Sequence, residues 1–205
     1  MTILTMPNVL ASSLKWHLRA NTMTSRSTLN RATKTRELPG AMWMATFDYT
    51  NKPRSEWAIM DAFISQLRGA AGRCYVTPPH AAVIQGSGGG TPLVDGAGQV
   101  GNTINIKGAT ANASAWLKIG DYFSFDATAG REMKKVVSVD VATDSFGNAT
   151  ITFEPPTRNA PADGAAITIS SPSCVMHLVD DDQGILSMAP PLLGGLSVQF
   201  EEIWS

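Results

Sequence analysis

Only one stretch of this chain spaces its hydrophobic and polar positions as a full amphipathic helix does. From Pro53 to Gly69, in PRSEWAIMDAFISQLRG, the apolar residues Trp57, Met60, Phe63, Ile64 and Leu67 recur three or four apart. That spacing predicts an amphipathic helix with one apolar stripe. Glu56, Asp61, Gln66 and Arg68 lie off the stripe. Pro53 suits the first turn, where its missing N–H costs no hydrogen bond. Arg68 and Gly69 suit the end, a cation at the negative pole followed by a residue tolerant of left-handed backbone.

Everything else reads as strands and turns. Leu14, Trp16 and Leu18 alternate within a candidate strand around Val9 to Arg19. Residues 25–36, SRSTLNRATKTR, alternate Thr with basic residues and predict a solvent-facing strand or arm. From Leu38 to Thr50, Trp43, Phe47 and Tyr49 fall on one face and Met42, Met44, Thr46 and Asp48 on the other, a largely buried strand leading into the helix. A short strand follows over residues 72–77. The run QGSGGGTP, Gln85 to Pro92, predicts a flexible joint. It lacks the Lys-Ser/Thr and the strand-to-helix setting of a phosphate-binding loop.

Residues 92–172 hold five short strand patterns separated by turn residues, consistent with a small barrel or sandwich. After Pro172, SCVMHLVDDDQGILSM reads as strand, tight turn at Asp181 to Gly184, and strand. Gly195 to Trp204 is the last strand, with Leu196, Val198, Phe200 and Glu202 on one face. The expected fold is mainly β: residues 1–85 and 173–205 form a discontinuous sandwich or barrel with one flanking helix, and 86–172 form an inserted β module. Cys74 and Cys174 on neighbouring strands would bring its two joints together.

The chain has 205 residues and is 43% apolar, ordinary for a globular protein. Its net charge of −1 offers no bulk electrostatic case for nucleic acid, and no sequence-specific nucleic-acid partner is expected. The charge is uneven. Residues 1–40 carry Lys15, Arg19, Arg26, Arg31, Lys34 and Arg36 against Glu37, a net +5. Residues 173–205 carry Asp180, Asp181, Asp182, Glu201 and Glu202 with no Lys or Arg, a net −5. These sets are either solvated faces or complementary surfaces, within a subunit or between subunits. Arg26, Arg31, Lys34, Arg36 and the five acids are the candidate interface residues.

No apolar run reaches the ~18–20 residues of a membrane span, and no secretory leader is discernible, so synthesis and folding in a cytosol are expected. Two cysteines make neither a disulfide scaffold nor a zinc site. His17, His80 and His177 belong to no metal motif, and no cofactor or metal is expected. Asp180–Asp182 lack the ligand spacing of a calcium loop. Asp121 with Glu132, or Asp126 with Asp144, are formal carboxylate pairs for glycoside hydrolysis. Nothing around them points to a raised pKa, so no catalytic residue is assigned. Trp116, Tyr122, Phe123 and Phe125 suit either a barrel core or a sugar-stacking surface.

The succession GAMWMATFDYTNKPRSEWAIMDAFISQLRGAAGRCYV resembles tail-tip proteins of long-tailed bacteriophages, in which an aromatic strand leads to a helix, an LRG…GR segment and another strand. PLVDGAGQVGNTINIKG, WLKIGDYFSF and ITFEPPTRNAPADGAAI resemble the β module inserted in the same proteins. The resemblance covers most of residues 38–172. It implies a distal tail protein of the baseplate hub with a tail-tube-like fold. Its subunits form a ring, usually of six, between the tail tube and the hub or fibres, with the tape measure protein as a further neighbour. It implies a virion tail-tip location after assembly in the host cytoplasm, and no catalytic residues. A carbohydrate- or receptor-binding tail module is the alternative, and a cell-wall glycan hydrolase is the third reading.

Overall fold

The computed structural model describes residues 2–128, 130–189 and 193–204. The chain is mainly β with one α-helix, and its strands form two large sheets and a ribbon. In chain order the strands are β1 (Leu4–Thr5), β2 (Ser13–Arg19), β3 (Thr22–Arg26), β4 (Thr33–Glu37), β5 (Met42–Lys52), β6 (Cys74–Val76), β7 (Gly90–Val94), β8 (Gly101–Ala109), β9 (Tyr122–Ala127), β10 (Gly130–Val136), β11 (Ala149–Thr157), β12 (Ile167–Thr168), β13 (Cys174–Leu178), β14 (Ser187–Ala189) and β15 (Leu193–Glu202). Helix α1 (Arg54–Leu67) follows β5 directly.

The first sheet has the order β1-β6-β13-β15-β5-β2, with β14 added beside β15. Its strands bury alternate residues, as period-two patterning requires. Trp43, Ala45, Phe47 and Tyr49 of β5 and Leu196, Val198, Phe200 and Glu202 of β15 are all buried. All of these but Glu202 join one apolar core with Met60, Phe63 and Leu67 of α1. The expected helix face is therefore the observed one, with Trp57 and Ile64 half-buried at its margins. Two glycines make room for those margins. A Cβ on Gly194 would stand 2.7 Å from the Trp57 ring, and one on Gly184 2.5 Å from Ile64 Cδ1. The helix ends differ slightly from expectation. Pro53 is the extended residue before the helix, and Arg68 itself takes the left-handed cap at φ 56°.

The second sheet, β12-β9-β10-β11-β8-β7, curls into a nearly closed barrel, its ends joined by a Leu93–Ala166 bridge. Its core holds Trp116, Phe123, Phe125, Val136, Ile151 and Phe153. Strand β10 covers Gly130 to Val136, and Val141 makes a separate bridge to Leu117. The sheet's strands all lie between β6 and β13 in sequence. Those two strands are paired, Cys174 opposite Val76 and Met176 opposite Cys74, so the chain leaves and re-enters the first sheet at one place.

Three expectations need correction. The stretch 25–36 is not a single strand; it is most of a hairpin, β3 and β4, continuing the β2–β5 pair outward. Gln85 to Pro92 is not a loose linker. Gly86 lies so close to the Trp116 carbonyl that a Cβ would approach it to 2.3 Å; Gly88 is buried, and Gly90 begins β7. Here glycine serves close backbone approach, not flexibility. Finally, the tight turn at Asp181 to Gly184 joins strands that do not pair with each other, because β13 and β14 both pair with β15.

Candidate functional site

The ribbon β3–β4 is built mostly of Thr, Ser and charged residues, with Met23 as its one apolar strand residue. All ten of its strand residues are exposed. Its tip is a compact turn: Ser27 and Ala32 are joined by a backbone hydrogen bond of 2.9 Å, and Arg31, at φ 56°, donates its N–H to the Ser27 carbonyl. The Ala32 N–H donates to Asn30 Oδ1 at 3.1 Å. At its base Asn21 Nδ2 donates to the Pro39 carbonyl at 2.8 Å, and Gly40 at φ 111° turns the chain back into β5.

Register sorts the cations. Residues opposite one another in an antiparallel pair share a face. Met23 faces Arg36 and Ser25 faces Lys34, so both cations project from one side. Arg26 faces Thr33 on the other side, and Arg31 belongs to the tip. Leu29, 97% exposed, is the apolar point of that tip. Among the described residues, none of Arg26, Arg31, Lys34 and Arg36 forms an ion pair.

The acidic set is dispersed, and it does not meet the ribbon within the subunit. Asp180 Oδ1 accepts from the Asp182 N–H and Gln183 Nε2, both at 3.0 Å. Asp181 accepts the Ala70 N–H at 2.8 Å, beside the helix end. Glu201 lies 3.2 Å from His177 Nε2. Glu202 is 3% exposed and must be withdrawn as a surface acceptor. Its Oε2 receives Arg158 Nη2 at 2.7 Å and the Trp43 N–H at 3.1 Å.

Glu202 belongs to a cluster that joins the barrel to the first sheet. Arg158 also donates to the Ala41 carbonyl, and its guanidinium lies 3.8 Å above the Trp204 ring. Nearby, Lys134, wholly buried, donates to Glu132 Oε2 at 2.7 Å and to the Pro156 carbonyl at 2.9 Å. Burial lowers the Lys134 pKa, with Glu132 opposing. Glu132 also accepts the Arg158 and Asn159 N–H groups. Trp43 Nε1 donates to the Met133 carbonyl at 2.9 Å across the same junction. Arg158 and Trp204 open onto a cleft of about 610 Å³ at the base of the ribbon, walled by Leu38, Pro39, Pro155 and Pro156. Sequence reasoning missed this junction, since Arg158 and Glu202 lie 44 positions apart. The one local signal is Glu132 and Lys134 sharing the strand parity of Val136.

The remaining candidates have structural roles. Trp116, Tyr122, Phe123 and Phe125 are buried, so they form core rather than a sugar-stacking platform. Asp121 accepts the N–H groups of Gln85, Gly86 and Lys118 at 2.8–3.0 Å, pinning the glycine-rich segment. Asp126 pairs with Arg131 at 2.9 Å. Asp144 holds its own turn through the N–H groups of Phe146 and Asn148, and these bonds, that of Asn148 first, lower its pKa. His80 packs edge-on against Trp16 and Tyr122, with its pKa lowered by burial and by Lys135. His177 Nδ1 lies 3.2 Å from the Ala70 carbonyl. Among the described residues, no three His, Cys, Asp or Glu side chains converge to hold a metal ion.

Two surface features stand out, an exposed cationic ribbon and a cleft at its base. No protein-family model matches the chain, and no curated protein matches it significantly.

Proposed function

We propose that this chain is a structural subunit of a bacteriophage tail tip, forming a ring that joins the tail tube to the hub or fibres. Its partners in this reading are further copies of itself, the tail tube protein, the tape measure protein and the hub or fibre proteins. It acts by assembly, without catalysis or cofactor. The observation that carries the reading is the ribbon. Two strands alone are at best marginally stable in water. A fully exposed pair whose four cations make no ion pair among the described residues gains most when it lies on another molecule. The order of blocks over residues 38–172 supports the same reading through its resemblance to tail-tip proteins.

Projection of the ribbon from one edge favours head-to-tail association, which closes into a ring when the rotation is right. The test is the size of the purified chain by sedimentation, with images of the particles by electron microscopy. Closed rings of uniform size are expected. A monomer at all concentrations and salts would remove the ring from the reading.

A further inference from the structure

We infer that the ribbon tip of one copy seats in the ribbon-base cleft of the next, with Leu29 as the plug. The inference rests on the ring reading above and specifies its joint. Leu29 stands almost fully in water at the end of a ribbon that exposes every strand residue. The cleft has a matching apolar wall in Leu38, Pro39, Pro155, Pro156 and Trp204, and its volume of about 610 Å³ exceeds a leucine side chain several-fold. The charged lining of the cleft is Glu37 and Arg158, and Arg158 is already paired with Glu202 at 2.7 Å, which leaves Glu37 to face the Arg31 and nearby Arg26 of an incoming tip.

The dimensions close. Five rungs at about 3.4 Å each and a short turn give the ribbon a reach of about 20 Å. A compact chain of this length is about 40 Å across. In a six-membered ring, neighbouring points on the inner rim are separated by the rim radius, here about 20 Å, the ribbon's reach. Subunit centres then lie about 40 Å from the axis and about 40 Å apart, the width of one subunit. The ribbons thus line the inner rim, each spanning from its own base to the next. Such a contact is heterologous, with tip and cleft distinct surfaces, so it propagates around a ring instead of stopping at a dimer.

Cysteine cross-linking tests the seat directly. Cys74 and Cys174 are buried and do not compete. The variant carrying Leu29→Cys and Thr157→Cys, oxidised as assembled protein, should give a non-reducing ladder that ends at the ring size. Either single variant should give none. Rings that form without the ladder overturn this seat and leave the ring reading standing. A chain that never assembles removes both. A ladder that stops at dimers means reciprocal exchange of ribbons and also overturns the head-to-tail seat. Independently, Leu29→Asp should leave the melting temperature unchanged and raise the concentration for half-assembly about tenfold or more, the expected effect of losing one buried leucine. Unchanged assembly would overturn the seat.

Discussion

Arg158 Nη2 donates to Oε2 of Glu202 across 2.7 Å, tying the end of the barrel's β11 to the last strand of the other sheet. Both side chains are largely buried, and Glu202 Oε1 has no hydrogen-bond partner among the described residues. A buried pair of this kind is costly to break from one side, because the surviving charge is left in a poor solvent. Arg158→Met should therefore destabilise the fold by about 3–5 kcal/mol in urea unfolding. Adding Glu202→Leu should recover most of that loss. Equal stability of the single and double variants would show that the charge is not the issue. The same logic bears on removing residues 86–172. That deletion takes away Arg158 together with Tyr122 and Met133, which belong to the first sheet's core.

The helix makes a second test. Phe63 is buried in the core under α1, whereas Gln66, three residues on, is exposed. Phe63→Ala should cost about 3–5 kcal/mol, the usual penalty for a truncated buried aromatic. Gln66→Ala should change stability by less than about 0.5 kcal/mol. Thermal melts of the two variants give the comparison, and similar melting temperatures would contradict the helix face described above.

The paired strands β6 and β13 bury both thiols. Burial pushes the Cys74 pKa up to about 12 and the Cys174 pKa well above its ordinary value. A folded-state pKa above the unfolded value contributes stability that is complete below the unfolded pKa and is lost as pH rises through the folded one. Stability should thus fall as pH climbs from about 9 toward 12, by up to about 1.4 kcal/mol per pH unit for each thiol. Cys74→Ala should flatten that alkaline slope. Iodoacetamide should modify neither thiol in the native protein at pH 8 and both after unfolding. Rapid native labelling would contradict the burial.

Where a core face exists, the pattern of residues was enough. Trp43 to Tyr49, Leu196 to Glu202 and the stripe of α1 each present alternate or helical positions to one apolar cluster, and that burial sets their registers. The ribbon was harder to read because it has no buried face. Thr and Ser alternate with Arg and Lys there, so nothing in the pattern separates one strand from two. The glycine-rich segment misled for a different reason: the need for close approach to Trp116 is tertiary, and composition looks the same in a loose linker. The Arg158–Glu202 contact depends on how the barrel sits against the sheet, which local patterning does not encode. Glu202 itself fell on the apolar face of its strand, the signal that it needed a buried partner.

The final prediction concerns which face of the ribbon docks. Lys34 and Arg36 share one face, Arg26 occupies the other, and Arg31 sits at the tip. Exposed pairs contribute only ~0–1 kcal/mol each, so these charges should act mainly on association rate and its salt dependence. Replacing Arg31, Lys34 and Arg36 together by Glu should slow or block ring assembly while the monomer keeps its melting temperature, since none of the three pairs with a carboxylate among the described residues. Arg26→Glu alone should have the smaller effect if the Lys34 face lies on the neighbour, and the larger effect if the opposite face does. Reversing Asp180, Asp182 and Glu201 to Lys in the same chain should restore part of the rate if they receive the ribbon. Asp181 is best left in place, because it caps the Ala70 N–H. Light-scattering kinetics at several salt concentrations provide the readout. A triple variant that assembles at the normal rate with an unchanged salt slope would make the cations an ordinary solvated surface.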